Sequence, residues 1–227
     1  MFLCKLILTL IIEVVVFGAL LFWPAGTWDW WRAWVFLGVF FIAGGAAMAA
    51  LFPGHQDILK ERFKPPIQKG QPLADKIILL LFIIIFLGLF VFIPLDVFRW
   101  HLLGKPGTLV SSGGLAMFAG GWWIIYLALR ENPFAAPVVK HLREKEQRVV
   151  DTGVYGLVRH PMYAGSIPFL IGMPLWLESY AAAILASAAI GLLVVRIRLE
   201  EEFLQRELPG YKAYMERVRY RLLPFLW

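Results

Sequence analysis

The chain has 227 residues, 60% of them hydrophobic, and a mean hydropathy of +0.70, which excludes a soluble globular domain. Its formal net charge of +6 calls for no nucleic-acid partner, because basic residues gathered on one side of a membrane protein give the same surplus. A single cysteine, Cys4, excludes an intrachain disulfide.

A hydrocarbon core of about 30 Å needs about 20 apolar residues per helix, and six segments reach or approach that length. The first, Leu3–Phe22, ends at Pro24 and Gly26. It is long, contains Glu13 and lacks a small-residue cleavage pattern, so it reads as a retained helix and not a signal peptide. Glu13 either faces a cavity or substrate path, or reaches the surface through a shifted helix. The second segment spans Trp31–Phe52 and ends at Pro53-Gly54, with Trp28, Trp30, Trp31 and Trp34 as an interfacial aromatic belt. Ile77–Val97, interrupted by Pro94, is the third. The fourth is Leu109–Leu129, whose Gly113-Gly114 and Gly120-Gly121 permit close helix packing. No strand precedes these glycines, so they do not form a nucleotide loop.

The last two segments form a hairpin: Tyr163–Trp176, a turn at Glu178-Ser179, then Tyr180–Val195. Two equal arms of about 16 residues would each span about 24 Å, short of the bilayer core. Local thinning, or polar ends drawn to the lipid boundary, must make up the difference. The stretch Leu208–Trp227 follows, with Tyr211 and Tyr214 three apart and basic residues beside them, as in a short helix at a membrane surface. The predicted fold is all-α: a polytopic membrane helical bundle of about six transmembrane helices, five if one early segment does not cross. A C-terminal helical hairpin and an interfacial helix complete it.

Sidedness follows from the basic residues. With six spans and the N-terminus inside, nineteen Lys and Arg fall on the inner side, against Arg32, Arg99 and Lys105 outside. This bias predicts a cytosolic N-terminus, 131–162 loop and C-terminus. Residues 1–130 form the N-terminal transmembrane part, expected on the acceptor side, and 131–227 the catalytic region of one membrane domain.

Chemistry concentrates where the loop meets the hairpin. Gly153-Val154-Tyr155-Gly156-Leu157-Val158-Arg159-His160-Pro161-Met162-Tyr163 crowds two tyrosines, an arginine and an imidazole at the mouth of a helix. Proline disfavours helix at the residue before it, so His160 is expected in an extended or turn conformation, with a helix starting near Pro161. Counting from Glu178, His160 and Arg196 are each 18 residues away, and Tyr155 and Glu201 each 23. Regular arms would bring these stretches to one membrane face. Glu200 and Glu201 then either pair within their own helix, with Arg196 and Arg198, or face a pocket with Tyr155, Arg159 and His160. Asn132 follows Arg130-Glu131 as a helix cap or a ligand contact. His55, His101 and His141 have no second His or Cys at ligand spacing, which argues against a metal site.

Taken together, Gly153-x-Tyr155, Arg159-His160-Pro161-x-Tyr163, the apolar hairpin, Glu200-Glu201-x-x-Leu204, Tyr211-x-x-Tyr214 and Pro224 resemble one group. This is the family of membrane-embedded methyltransferases that includes isoprenylcysteine carboxyl methyltransferase and the phospholipid methyltransferases. The resemblance implies S-adenosylmethionine as methyl donor, with S-adenosylhomocysteine as product. It also implies a lipophilic acceptor arriving sideways from the bilayer: an isoprenylcysteine carboxylate-like group, a phospholipid amine or a thiol. By position, it implies that Gln147, Val149, Val150, Gly153, Tyr155, His160 and Pro161 line the donor site. Glu201, with Glu200 as alternative, would hold the donor's polar groups, while Arg159, Tyr163 and Arg196 would lie nearer the acceptor or orient the carboxylates. Val154 stands where the family commonly has Pro, and Gln147 near where many members have His. The alternative readings are an NADPH-dependent membrane reductase of the sterol-reductase type and a non-catalytic membrane transporter.

Overall fold

The computed structural model describes residues 2–52, 54, 59, 64–68, 70–135 and 147–227. Among them the secondary structure is helical, without strands. The long helices are α1 (Phe2–Ala25), α2 (Trp31–Leu51), α3 (Leu73–Leu95), α4 (Thr108–Glu131), α5 (Pro161–Trp176) and α6 (Tyr180–Glu207), followed by the short α7 (Tyr211–Arg217). Pro94 does not end α3. The helix widens into a π turn, Asp96–Trp100, and stops at His101 in the left-handed region, a known way of absorbing a missing backbone donor. His55 and His141 lie outside the described residues, as do parts of the 131–162 loop.

Five helices, α1 to α4 and α6, are long and apolar enough to cross a membrane. Ile7, Leu8, Ile42, Ile84, Leu109 and Ile184 are half exposed or more, a display of apolar side chains suited to lipid and not to water. The chain is a multi-pass membrane protein. The hairpin departs from two equal arms: α5 has 16 residues and α6 has 28. Proline at the first position of α5 fixes where that helix starts. Nothing in Arg196–Glu207 breaks a helix, so α6 runs through the charged segment and stops just before Pro209.

Aromatic rings fill the middle of the bundle. Phe36, Phe90 and Phe118 are fully buried. They meet with centroids 5.9 and 5.0 Å apart, and Phe169 sits 4.8 Å from Phe118, so α2, α3, α4 and α5 share one core. Trp28, Trp31 and Trp34 face outward as a belt requires, whereas Trp30 is buried against Phe98.

The closest helix pair is α4 with α5, and paired glycines explain it. A Cβ at Gly114 would lie 2.7 Å from the Leu175 Cβ, and one at Gly121 would lie 2.5 Å from the Gly165 carbonyl. Gly165 and Gly172 occupy the facing positions, so the two backbones touch without side chains between them. Gly113 and Gly120 have open space instead. Hairpin and bundle are also pinned at the turn. Ser179 caps α6 through the Ala182 amide and donates to Asp96 Oδ2 at 2.6 Å. Arg32 donates to the Trp176 carbonyl at 3.1 Å and pairs with Glu178 at 3.3 Å. This end of the bundle fixes where the other end of α5 must fall.

The glycine contact predicts an asymmetric response. Gly121→Val should destabilise the purified protein by roughly 3 kcal/mol through overpacking, read as a fall in melting temperature, while Gly120→Ala should change it by less than about 0.5 kcal/mol. Equal effects at the two positions would contradict the packing described.

Candidate active site

His160 has φ −125° and ψ 61°, outside the helical region, and Pro161 opens α5 directly after it. The backbone just before α5 is therefore non-helical, and it pairs with the chain's last segment. The Arg159 amide donates to the Tyr220 carbonyl and the His160 amide to the Arg221 carbonyl, both at 2.9 Å. Loop, helix start and C-terminal segment thus form one layer over the ends of α5 and α6.

Glu201 sits at the centre of that layer and is 2% exposed. Its Oε1 accepts from Arg159 Nε at 2.7 Å and lies 3.2 Å from His160 Nε2, while Oε2 accepts from Arg221 Nε at 2.8 Å. Arg159 uses Nη1 for the Val218 and Arg219 carbonyls at 2.8 and 2.7 Å. A buried carboxylate is costly unless both oxygens are satisfied by charged donors, and here both are. Glu200, one residue earlier, accepts from the Tyr163 hydroxyl at 2.7 Å. Tyr163 stacks on His160 with centroids 5.6 Å apart, and the Arg196 guanidinium carbon lies 5.9 Å from the centroid of its ring. Arg196 itself donates through Nε to Asp75 Oδ1 of α3 at 2.9 Å.

The predicted meeting of the two stretches is present, with a shifted register. Equal counting from the turn would set His160 against Arg196 and Tyr155 against Glu201. Instead His160 meets Glu201, and Tyr163 meets Glu200. Side chains lean toward the N-terminus of their own helix. Those of α5 therefore lean away from the turn and those of α6 back toward it, so each α5 residue meets one farther along α6. Tyr155 folds away in a 3-10 turn, Gly153–Gly156, and its carbonyl accepts from the Tyr214 hydroxyl at 2.8 Å. The described hydrogen bonds of the two carboxylates run across to α5 and the C-terminal segment, while Glu200 also acts electrostatically on Arg196 of its own helix.

A cavity opens beside this layer. Of the residues singled out from sequence, Gln147, Val149, Val150, Tyr155 and Pro161 line it, as do Arg159, His160, Tyr163 and Glu200. Gly153, Arg196 and Glu201 are not among the described lining residues. Gly153 has φ +54°, and a Cβ there would lie 2.7 Å from the Glu131 carboxylate at the end of α4, the group to which the Thr152 hydroxyl donates. Its place in the fold is that of a tie between loop and α4. Asn132 also lines the cavity, and its Oδ1 accepts from the Phe134 amide at 2.9 Å.

Several lining residues went unassigned in the sequence. Phe203 and Leu204 follow the acid pair on α6, and Leu208 begins the bend after it. Tyr211 and Tyr214, read there as parts of an interfacial helix, are buried in the cavity wall. Burial pushes both hydroxyls above the usual phenol range, and neighbouring acids add to the shift at Tyr211. They are neutral hydrogen-bonding groups at any physiological pH. Three-residue spacing was the available signal. Arg221 and Asp75 carried none: the first lay in a basic run, the second beside Lys76 at the edge of an apolar helix.

Residues 110–209 match the family model of phospholipid methyltransferase. The matched segment starts in α4, runs through the loop and hairpin, and includes His160, Glu200 and Glu201. The chain is similar to that family over this segment, and the match supports a membrane methyltransferase over the reductase and transporter readings. No curated protein matches the chain. Asp75, Tyr211, Tyr214 and Arg221 lie outside the matched segment.

The charge arrangement predicts that Glu201→Ala costs about 3 kcal/mol or more, because it leaves the buried Arg159 without its counter-charge. Chemical or thermal unfolding in detergent measures this, and stability equal to the wild type would contradict the arrangement.

Proposed function

We propose that the chain moves a methyl group from S-adenosylmethionine to a lipophilic acceptor delivered from the bilayer. An isoprenylcysteine carboxylate-like group, a phospholipid amine and a thiol all suit that route. The observation that supports the reading most is the position of the cavity, lined mostly by the methyltransferase-matched segment and closed by Tyr211 and Tyr214 just beyond it. The side chains present suit the donor. Tyr155, Phe203 and Tyr211 offer rings for an adenine or a sulfonium cation. Glu200 offers a carboxylate for ammonium or hydroxyl groups. When bound, S-adenosylmethionine supplies a methyl carbon activated by a sulfonium.

The chain's own residues then have two tasks, alignment and exclusion of water. Val149, Val150, Leu204 and Leu208 give the cavity apolar wall. Glu201 holds Arg159 and His160 in place from behind, and the Tyr163 hydroxyl orients Glu200. For the acceptor, a second, apolar groove between α2 and α4 supports lateral approach. Ala43, Ala46, Ala50, Trp122 and Tyr126 line it, and Arg130 lies at its end nearest the loop. The excess of Lys and Arg in the predicted inner segments supports a cytosolic cavity.

Calorimetry with S-adenosylhomocysteine on the purified protein tests the donor. Binding is expected, and Tyr211→Ala should weaken it about tenfold, roughly the 1.4 kcal/mol that loss of one ring contact costs. A wild-type protein that does not bind S-adenosylhomocysteine would contradict the proposal.

A further inference from the structure

Asp75 is 1% exposed, at the start of α3, outside both the cavity lining and the family-matched segment. Its Oδ1 accepts from Arg196 Nε at 2.9 Å, and its Oδ2 accepts from Gln71 Nε2 at 2.7 Å. Arg196 is 8% exposed and Gln71 5%. A buried ion pair of this kind contributes little to stability compared with an apolar replacement of similar volume. The pairing of α3 with α6 does not depend on it alone, because Leu89, Phe90 and Ile93 of α3 lie in one buried apolar cluster with Leu193 and Ile197 of α6. What the pair does fix is direction. The Arg196 guanidinium is held over the Tyr163 ring, and the Tyr163 hydroxyl donates to Glu200, which faces the cavity.

We propose that Asp75 is a positioning residue for the donor site, acting through Arg196 and Tyr163 on the Glu200 carboxylate. The proposal rests on the donor reading above and adds a residue from α3, in the half of the chain expected to serve the acceptor. Without the Asp75 charge, Arg196 has Glu200 as the nearest remaining acid on its own helix, four residues on. Arg196 would then turn to Glu200 and draw it away from the cavity. Both neighbours of Tyr163 would shift together, as members of one buried network do.

Affinity for S-adenosylhomocysteine, measured by calorimetry beside the melting temperature, tests this. Asp75→Asn keeps the shape and an acceptor oxygen but removes the charge. It should weaken binding about tenfold and, by leaving the buried Arg196 without its counter-charge, lower the melting temperature as well, so the affinities are compared well below the transition of each variant. Tyr163→Phe should weaken binding comparably, and the double variant no more than the worse single one, since both act on the same carboxylate. Asp75→Glu, which retains the charge, should recover most of the affinity. Glu202→Gln, an exposed neighbour on α6 paired with Arg206, should bind as the wild type does. An Asp75→Asn protein that binds within twofold of the wild type would overturn the proposal. So would multiplicative losses in the double variant, or an Asp75→Glu protein no better than Asp75→Asn. If the wild type itself fails to bind, the donor reading falls and this proposal with it. A binding wild type with an indifferent Asp75→Asn variant overturns this proposal alone.

Discussion

The Glu201 carboxylate joins three parts of the chain that are far apart in sequence. It belongs to α6, it takes donors from the residues that open α5, and it takes a third from Arg221 near the C-terminus. Two fully hydrogen-bonded oxygens in a buried position leave little room for alternative arrangements, because loss of the carboxylate would leave the buried Arg159 unpaired in a poorly solvated place. The cavity wall depends on that closure. Tyr211 and Tyr214 face the cavity only because the chain after α6 folds back instead of continuing along a membrane surface.

The rest of the bundle holds the two ends of the hairpin at a set distance. At one end, Asp96 and Arg32 grip the turn around Ser179. Along the middle, glycine facing glycine brings α4 and α5 into backbone contact. With α5 held on both counts, its 16 residues determine the depth at which Arg159 and His160 emerge. The shortness of α5 therefore gathers Arg159, His160 and Glu201 at one end of the bundle. Apolar packing of Phe36, Phe90, Phe118 and Phe169 supports this frame without taking part in the site.

Much of this frame was legible in the sequence because a bilayer allows few solutions. Apolar runs of about 20 residues become helices, Pro161 marks a helix start, and Glu178-Ser179 marks a turn. The glycine pairs signalled close packing, although only Gly114 and Gly121 of the four make it; which of two adjacent glycines faces a neighbour depends on helix rotation. The site was legible as a set of residue types, less so as a set of partners. Counting from the turn missed the register because side chains lean along their helices. Arg221 and Asp75 were hidden for a different reason. A basic residue in a basic run and an acid at a helix start both have ordinary explanations, and only tertiary contacts distinguish them. The Tyr211 and Tyr214 pair had the right spacing for a helical face, and the sequence did not say what that face would cover.

The central claim is that Glu201 holds the start of α5 and the C-terminal segment together as one layer. Hydrogen–deuterium exchange on the wild type and Glu201→Gln measures this directly, since the Arg159 and His160 amides donate to carbonyls of Tyr220 and Arg221. Faster exchange in Glu201→Gln at residues 157–160 and 218–227, with α4 unchanged, is the predicted result. Equal protection of these two stretches in both proteins would contradict the account.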